Sequence, residues 1–132
     1  MNRRDVLIMG GAAMLLAGRA SATNIEYTPG LVQQRLDAGE TVFVDFFAPW
    51  CSTCRTQERH IGAIRAENPA YDVAMTFVRV DWDTYGNSAL AQRLEIPRRS
   101  TLVVLRGEAE LGRIVAGTSR SAIQALMDLG LS

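Results

Sequence analysis

The chain contains no lysine, and all 14 of its basic residues are arginine. Reactions that use a lysine amine as the nucleophile are therefore excluded. The 14 acidic residues balance the arginines to a formal net charge of zero, and the arginines form no basic stripe. The charge pattern therefore does not indicate a nucleic acid or an anionic membrane surface as a partner.

Metal-binding side chains are also scarce, with two cysteines and one histidine in 132 residues. Closing a zinc site takes about four ligands. His60 lies six residues beyond Cys54, so on a helix it would point away from both sulfurs. We therefore interpret His60 as a partly exposed helix residue, and we expect neither a metal nor a cofactor.

No apolar run reaches the roughly 20 residues that a membrane-spanning helix needs. The run from Val6 to Ala17 follows Arg3 and Arg4 and precedes Ala20-Ser21-Ala22, a small-x-small cleavage signal. This pattern predicts an export signal over Met1 to Ala22 and a periplasmic protein. The paired arginines are similar to a twin-arginine signal. The general secretory route and an uncleaved membrane anchor are the alternatives.

Residues 23–132 have room for only one domain. Removal of the predicted signal would leave 11 arginines and 13 acidic residues. We therefore expect a slightly negative, soluble domain with no membrane attachment once the signal is cleaved.

The apolar pattern predicts alternating strands and helices, followed by a hairpin and a last helix. Thr41 to Phe47 is apolar on both faces except for Asp45, which is typical of a central, doubly covered strand. This order predicts the α/β class, with a central mixed β-sheet flanked by helices on both faces. The predicted strands are 24–27, 41–47, 73–80, 101–105 and 108–115, and the predicted helices are 29–38 capped by Thr28, 51–67, 88–94 and one capped by Thr118 or Ser119 that ends at Gly130.

Two cysteines separated by two residues follow the central strand. At a strand-to-helix junction, Cys51 and Cys54 can close a small disulfide without unwinding the helix. The segment from Val42 to Cys54, VFVDFFAPWCSTC, resembles the second strand and active-site turn of the thioredoxin family. The element order is similar over essentially all of 23–132. The resemblance implies a thioredoxin-like fold and thiol–disulfide exchange on protein clients.

The position of Cys51 assigns the roles of the two sulfurs. Unpaired N–H groups and the dipole at a helix start stabilise a thiolate, so Cys51 is predicted to be the nucleophile. Cys54, one turn further along, is predicted to be more buried and to resolve the mixed disulfide with the client.

Asp45 is a carboxylate in an otherwise apolar strand, where burial should raise its pKa. The resemblance implies that Asp45 relays a proton to and from Cys54. The alternative is a structural carboxylate paired with Arg79 on the neighbouring strand.

Three residues beside the cysteines are predicted to adjust the reaction. The resemblance implies that Trp50 flanks the client groove. Ser52 and Thr53 stand where the family usually has Gly-Pro, and their hydroxyls could donate to a thiolate and tune the redox potential.

The family usually has a cis-proline just before the strand predicted at Thr101, where this chain has Ser100. A cis bond before serine costs about 2.5 to 4 kcal/mol, so the Arg99-Ser100 bond is either cis and strained or trans with an altered client groove. We align Ser100 rather than Pro97 with that proline. Ser100 could place a hydroxyl near Cys51, and Arg98 and Arg99 would put positive charge beside a groove for acidic clients.

The direction of electron flow stays open at this point. We expect a disulfide reductase that receives electrons from a membrane thiol carrier, because the domain has no electron source of its own. A disulfide oxidase or isomerase is the first alternative. A thioredoxin-fold module that binds clients without turnover is the second.

Overall fold

Five strands and six helices form over residues 24–132, which are the residues that the computed structural model describes. The predicted export signal over Met1 to Ala22 lies outside them. The strands are β1 (Ile25–Glu26), β2 (Thr41–Phe47), β3 (Met75–Asp81), β4 (Thr101–Arg106) and β5 (Ala109–Val115). The helices are α1 (Leu31–Asp37), α2 (Ser52–Glu67), α3 (Ala70–Ala74), α4 (Trp82–Tyr85), α5 (Ala89–Arg93) and α6 (Arg120–Leu129).

The strands pair in the order β1-β3-β2-β4-β5. β1, β3 and β2 run parallel, whereas β4 is antiparallel to β2 and β5 is antiparallel to β4. The predicted mixed sheet is therefore confirmed. Since β4 runs against β2, Phe46 near the end of β2 pairs with Thr101 at the start of β4.

The side chains of β2 alternate between two cores, and all seven of its residues are buried. Val42, Val44 and Phe46 pack into the core that α1 and α5 cover, and Phe43 packs into the core formed with α2 and α6. Because successive strand residues face opposite sides, Asp45 lies on the α2 face of the sheet. The prediction of helices on both faces is confirmed.

The first helix begins later than predicted. Gly30, not Thr28, is its N-cap, and Gly30 adopts a left-handed φ of 89° that glycine tolerates without steric cost. Pro29 therefore stays in the turn before Leu31 and does not enter the helix.

The prediction of a strand beginning at Val73 is wrong at its start. Asn68 Oδ1 accepts a hydrogen bond of 3.0 Å from the Ala70 N–H, and the chain forms α3 before β3 begins at Met75. Val73 is 86% exposed on this helix. The inference of a buried strand from its β-branched side chain was therefore mistaken. Helix α4 was not predicted. The Asp81 side chain caps it by accepting from the Asp83 N–H.

The C-terminal predictions are confirmed. β4 and β5 form the hairpin around Gly107, which has a φ of 60°. Ser119 caps α6 by accepting from the Ala122 N–H, and the helix ends at Gly130.

Candidate active site

Cys51 and Cys54 meet where β2 leads into α2. Cys51 is the N-cap of α2, and its Sγ accepts a hydrogen bond of 3.1 Å from the Cys54 N–H. Their Cα atoms are 5.3 Å apart, the spacing of a disulfide, and the two sulfurs are paired. Both side chains are at most 2% exposed. The predicted redox pair is therefore present.

The two thiols differ in acidity when reduced. Burial raises the pKa of Cys51, but hydrogen bonds from Cys54 and Ser100, the Cys54 N–H and the Arg99 side chain outweigh burial and lower it from 9.0 to about 7. Burial, followed by the hydrogen bond with Cys51, raises the pKa of Cys54. Near neutral pH, Cys51 is therefore partly a thiolate while Cys54 holds its proton.

Ser100 lies between the two sulfurs. Its Oγ is 3.2 Å from Cys51 Sγ and 3.1 Å from Cys54 Sγ, and the residue is fully buried. The Arg99-Ser100 bond is trans, as are all peptide bonds in the described residues, which decides between the two alternatives. Ser100 has instead a left-handed φ of 66°, which is uncommon for a residue other than glycine.

Gln57 is a site residue that the sequence reasoning missed. It is fully buried, and its Nε2 donates to the carbonyl oxygens of Ser100 at 3.0 Å and Gly117 at 2.9 Å. Its Oε1 has no partner among the described residues. Its spacing in the sequence could have indicated this position. Gln57 follows Cys54 by three residues, which places it on the buried face of α2 together with Ile61.

Trp50 and Arg99 form a rim beside Cys51. Trp50 is 58% exposed, and the Arg99 guanidinium lies 4.3 Å from the centre of its indole ring. The Trp50 Nε1–H donates to the carboxylate of Asp83 on α4, with a distance of 3.0 Å to Oδ2. Asp83 was also missed, because the helix that carries it was not predicted. Arg98 bonds within its own loop, donating from Nε to the Arg99 carbonyl.

Asp45 lies behind the cysteines and is 5% exposed. Its pKa is raised from 3.8 to about 8, mainly by burial and to a lesser degree by the charges of Glu58 and Cys51, with Arg79 opposing them. Its Oδ1 has no hydrogen-bond partner in the described part of the chain. Asp45 and Glu58 line a cavity of about 180 Å³ together with Arg79.

Arg79 on β3 pairs in register with Asp45 on β2, but its guanidinium group contacts other side chains. It pairs with Glu58 at 2.9 Å and Glu26 at 3.5 Å, and it lies 3.7 Å from the centre of the Phe47 ring. Within residues 24–132, no ion pair joins Asp45 to Arg79. The alternative of a structural Asp45–Arg79 pair is therefore not supported.

Ser52 and Thr53 occupy the first turn of α2, where they were expected to donate to a thiolate. Neither hydroxyl is hydrogen-bonded to a sulfur in the described structure. The two sulfurs are joined in this structure and neither is a thiolate, so donation from Ser52 or Thr53 to a thiolate stays a prediction. The groups that contact Cys51 Sγ are the Ser100 hydroxyl and the Cys54 N–H. An effect of this dipeptide on the redox potential stays a prediction.

His60 is half-buried on α2, in agreement with its interpretation as a helix residue. The described residues contain no group of three or more His, Cys, Asp or Glu arranged to hold a metal ion. Over the same range, no helix has the length and apolar character needed to cross a membrane.

Known proteins are similar to this chain in sequence. The thioredoxin of Mycolicibacterium smegmatis is 27% identical over 88 residues, covering 67% of this chain and 76% of that protein. Thioredoxin-1 of Saccharomyces cerevisiae is 27% identical over 104 residues, covering 79% and 90%.

Solved structures show the same fold. The Trxlp structure of Edwardsiella tarda has a TM-score of 0.68 and 30% identity, covering 79% of this chain and 98% of that one. The thioredoxin of Malassezia sympodialis has a TM-score of 0.70 at 24% identity, covering 83% and 94%, and supports the fold alone. The family model described as Thioredoxin matches residues 21–129, almost the whole domain around the Cys51–Cys54 pair, and the chain therefore belongs to the thioredoxin family of thiol–disulfide oxidoreductases.

Proposed function

We propose that the protein reduces disulfide bonds of protein clients in the periplasm, with Cys51 as the attacking sulfur and Cys54 as the resolving sulfur. The contrast between the two thiols carries this proposal. The pKa of Cys51 is lowered to about 7, whereas that of Cys54 is raised. Since only a thiolate attacks a disulfide, Cys51 reacts first.

The exchange proceeds in two steps. The Cys51 thiolate attacks one client sulfur, forms a mixed disulfide and releases the other client sulfur as a thiolate, which takes up a proton. Cys54 then gives up its proton and attacks Cys51 Sγ, and the bond between Cys51 and the client breaks with the electron pair going to the client sulfur. The client gains two electrons and two protons. The cysteine pair supplies both electrons and the proton of Cys54, and the other proton comes from the solvent, to which Cys51 released its own when it ionised.

Asp45, in the fraction of molecules in which it is ionised, accepts the proton that Cys54 gives up. A base with a pKa of about 8 holds and releases protons in the pH range where thiols ionise. The unpartnered Oδ1 faces no competing donor among the described residues, and the cavity that Asp45 lines has room for water. These features support a relay through water between Asp45 and Cys54.

The rim of Trp50 and Arg99 binds clients that carry acidic residues near the disulfide. The exposed indole offers an apolar surface, and Arg99 adds positive charge beside Cys51. Changing Arg98 and Arg99 to glutamate should weaken binding of an acidic client peptide. The control changes Arg93 and Arg120, away from the sulfurs, to glutamate. Equal affinities of the two double variants would contradict the assignment.

Export and a membrane electron source complete the proposal. The charged, apolar and small-residue pattern over Met1 to Ala22 supports export. A thiol carrier in the membrane would return electrons to Cys51 and Cys54.

Protein recovered from the periplasm should begin at Thr23, and an uncleaved N-terminus at Met1 on protein held in the membrane would support the anchor instead. An Arg3→Lys and Arg4→Lys variant should stay in the cytoplasm only if export uses the twin-arginine route.

Disulfide oxidation or isomerisation is a second candidate, favoured by the Ser100 hydroxyl beside both sulfurs. Hydrogen bonds to a thiolate stabilise the reduced pair and make the protein more oxidising. The reduction potential separates the directions. A value near about −270 mV supports a reductase, and one near about −120 mV supports an oxidase.

An insulin-reduction assay with dithiothreitol tests catalysis against binding alone. The wild-type protein should accelerate reduction, and Cys51→Ser should abolish the acceleration. Ser121→Ala, on the exposed start of α6, is the matched control and should behave as wild type. Equal rates for wild type and Cys51→Ser would support a client-binding module instead.

A further inference from the structure

Gln57 is a fully buried amide beside the redox pair that the exchange chemistry itself does not use. Both of its short contacts run from Nε2 to backbone carbonyls, those of Ser100 at 3.0 Å and Gly117 at 2.9 Å. Two acceptors can be served only by the NH₂ group, so the orientation of the amide is fixed. These two hydrogen bonds of Gln57 connect α2 to the loop before β4 and to the segment after β5.

The hydrogen bond from Gln57 helps to hold Ser100 in an uncommon backbone conformation. Ser100 has a φ of 66°, its N–H donates to the Phe46 carbonyl at 2.6 Å, and its own carbonyl accepts from both Gln57 and the Ala116 N–H. A left-handed backbone at a residue other than glycine persists only when its surroundings enforce it. The result places one hydroxyl 3.2 Å from Cys51 Sγ and 3.1 Å from Cys54 Sγ.

We propose that Gln57 is a positioning residue for the redox pair, which holds the Ser100 hydroxyl between the two sulfurs so that it donates to whichever sulfur is ionised. A hydroxyl has one proton to donate and can rotate about its C–O bond. It serves Cys51 when the reduced protein meets a client, and it serves Cys54 when that sulfur attacks the mixed disulfide. Because a thiolate accepts a stronger hydrogen bond than a disulfide sulfur, the pair Gln57–Ser100 stabilises the reduced protein.

The inference rests on the thiol–disulfide exchange proposed above, and its test uses the protein without a client. The test equilibrates wild type, Ser100→Ala, Gln57→Met and the double variant with glutathione redox buffers. Thiolate absorbance at several pH values then gives the pKa of Cys51. Methionine keeps the length and volume of glutamine without its amide. Ser121→Ala is again the control for loss of a hydroxyl.

Ser100→Ala should lower the equilibrium constant for reduction by glutathione by about 3- to 10-fold. That change corresponds to a potential more negative by about 15 to 30 mV. It should also raise the pKa of Cys51. Gln57→Met should act in the same direction by a smaller factor. The double variant should match Ser100→Ala alone, because Gln57 acts only through the hydroxyl.

An unchanged potential and an unchanged Cys51 pKa in Ser100→Ala would overturn the role of the hydroxyl. Additive effects in the double variant would overturn the role of Gln57, since a merely structural contribution does not depend on Ser100. If Gln57→Met does not fold, Gln57→Leu takes its place, and an unchanged potential in whichever of the two variants folds would also overturn the role of Gln57. A wild-type pair that fails to titrate as a two-electron couple would instead contradict the exchange function itself.

Discussion

Cys51 reacts as a thiolate, so its pKa of about 7 makes its reactivity depend on pH across the physiological range. Alkylation of the reduced protein by iodoacetamide should accelerate as pH rises, with a midpoint near 7, and the modification should map to Cys51. Cys54, whose pKa is raised, should stay largely unmodified over that range. The measurement is the alkylation rate at each cysteine by mass spectrometry.

The contribution of Arg99 to that midpoint can be separated. Arg99→Ala should move the midpoint upward, because the Arg99 side chain helps to lower the pKa of Cys51. Arg93→Ala, on α5, is the matched control. A wild-type midpoint close to 9 would contradict the assigned environment of Cys51.

Asp45 links activity to stability. Its carboxyl is neutral in the folded and unfolded protein below pH 3.8, and its burial then carries no ionisation penalty. Between pH 3.8 and about 8 the unfolded chain ionises while the folded protein does not, so stability is lost as pH rises through this window. Asp45→Asn should therefore stabilise the protein by a few kcal/mol at pH 8, since each unit of pKa shift is worth about 1.4 kcal/mol.

Urea unfolding at pH 4 and pH 8 measures this difference, and the gain at pH 4 should be small. The same variant should slow the release of client from the mixed disulfide, because Cys54 loses its proton acceptor. An equal gain in stability at both pH values would contradict the raised pKa. An unchanged release rate would contradict the relay.

The helix starts show how far local sequence determines an element. Ser119 caps α6 through a hydrogen bond from the Ala122 N–H. Ser119→Ala should lower the free energy of unfolding by about 1 kcal/mol, the usual cost of losing such a cap. Thermal unfolding measures the change, with Thr118→Ala at the exposed position before the cap as the control. Equal losses in the two variants would mean that the cap contributes nothing specific.

Elements with strong local signals were predictable from the sequence. β2 is an uninterrupted apolar run, and the hairpin turn has a glycine, so both were found. The short helices α3 and α4 have only four or five residues, and their start signals, Asn68 and Asp81, are side chains that equally favour a turn. The apolar Val73 therefore led to the prediction of a strand at a position where the chain forms a short helix and leaves Val73 exposed.

The site was predictable to the extent that spacing along the chain defines it. Cys51, Cys54 and Asp45 follow from one strand-to-helix segment. Gln57 and Asp83 contribute through partners that are distant in sequence, Ser100 and Trp50, and these contacts exist only after β4 and α4 are placed. A Ser100 hydroxyl was expected near Cys51, and the fold places it beside both sulfurs. Donation from Ser52 and Thr53 to a thiolate stays a prediction.

At the scale of the whole molecule, the antiparallel pairing of β4 with β2 builds the site. It brings the start of β4, with Ser100, beside the end of β2, from which the chain enters α2 and the cysteines. The hydroxyl, the rim arginine and the two sulfurs thus come from two segments that the sheet joins. This arrangement accounts for a nucleophile that is buried while Trp50 next to it remains exposed to clients.

The division of roles between the two sulfurs can be tested by trapping a client on single-cysteine variants. Cys54→Ser, incubated with an oxidised client protein, should accumulate a mixed disulfide through Cys51, visible as a higher-mass band that dithiothreitol removes. Cys51→Ser should form none, because the raised pKa of Cys54 keeps the remaining thiol protonated. A mixed disulfide that accumulates on Cys51→Ser and not on Cys54→Ser would contradict the account.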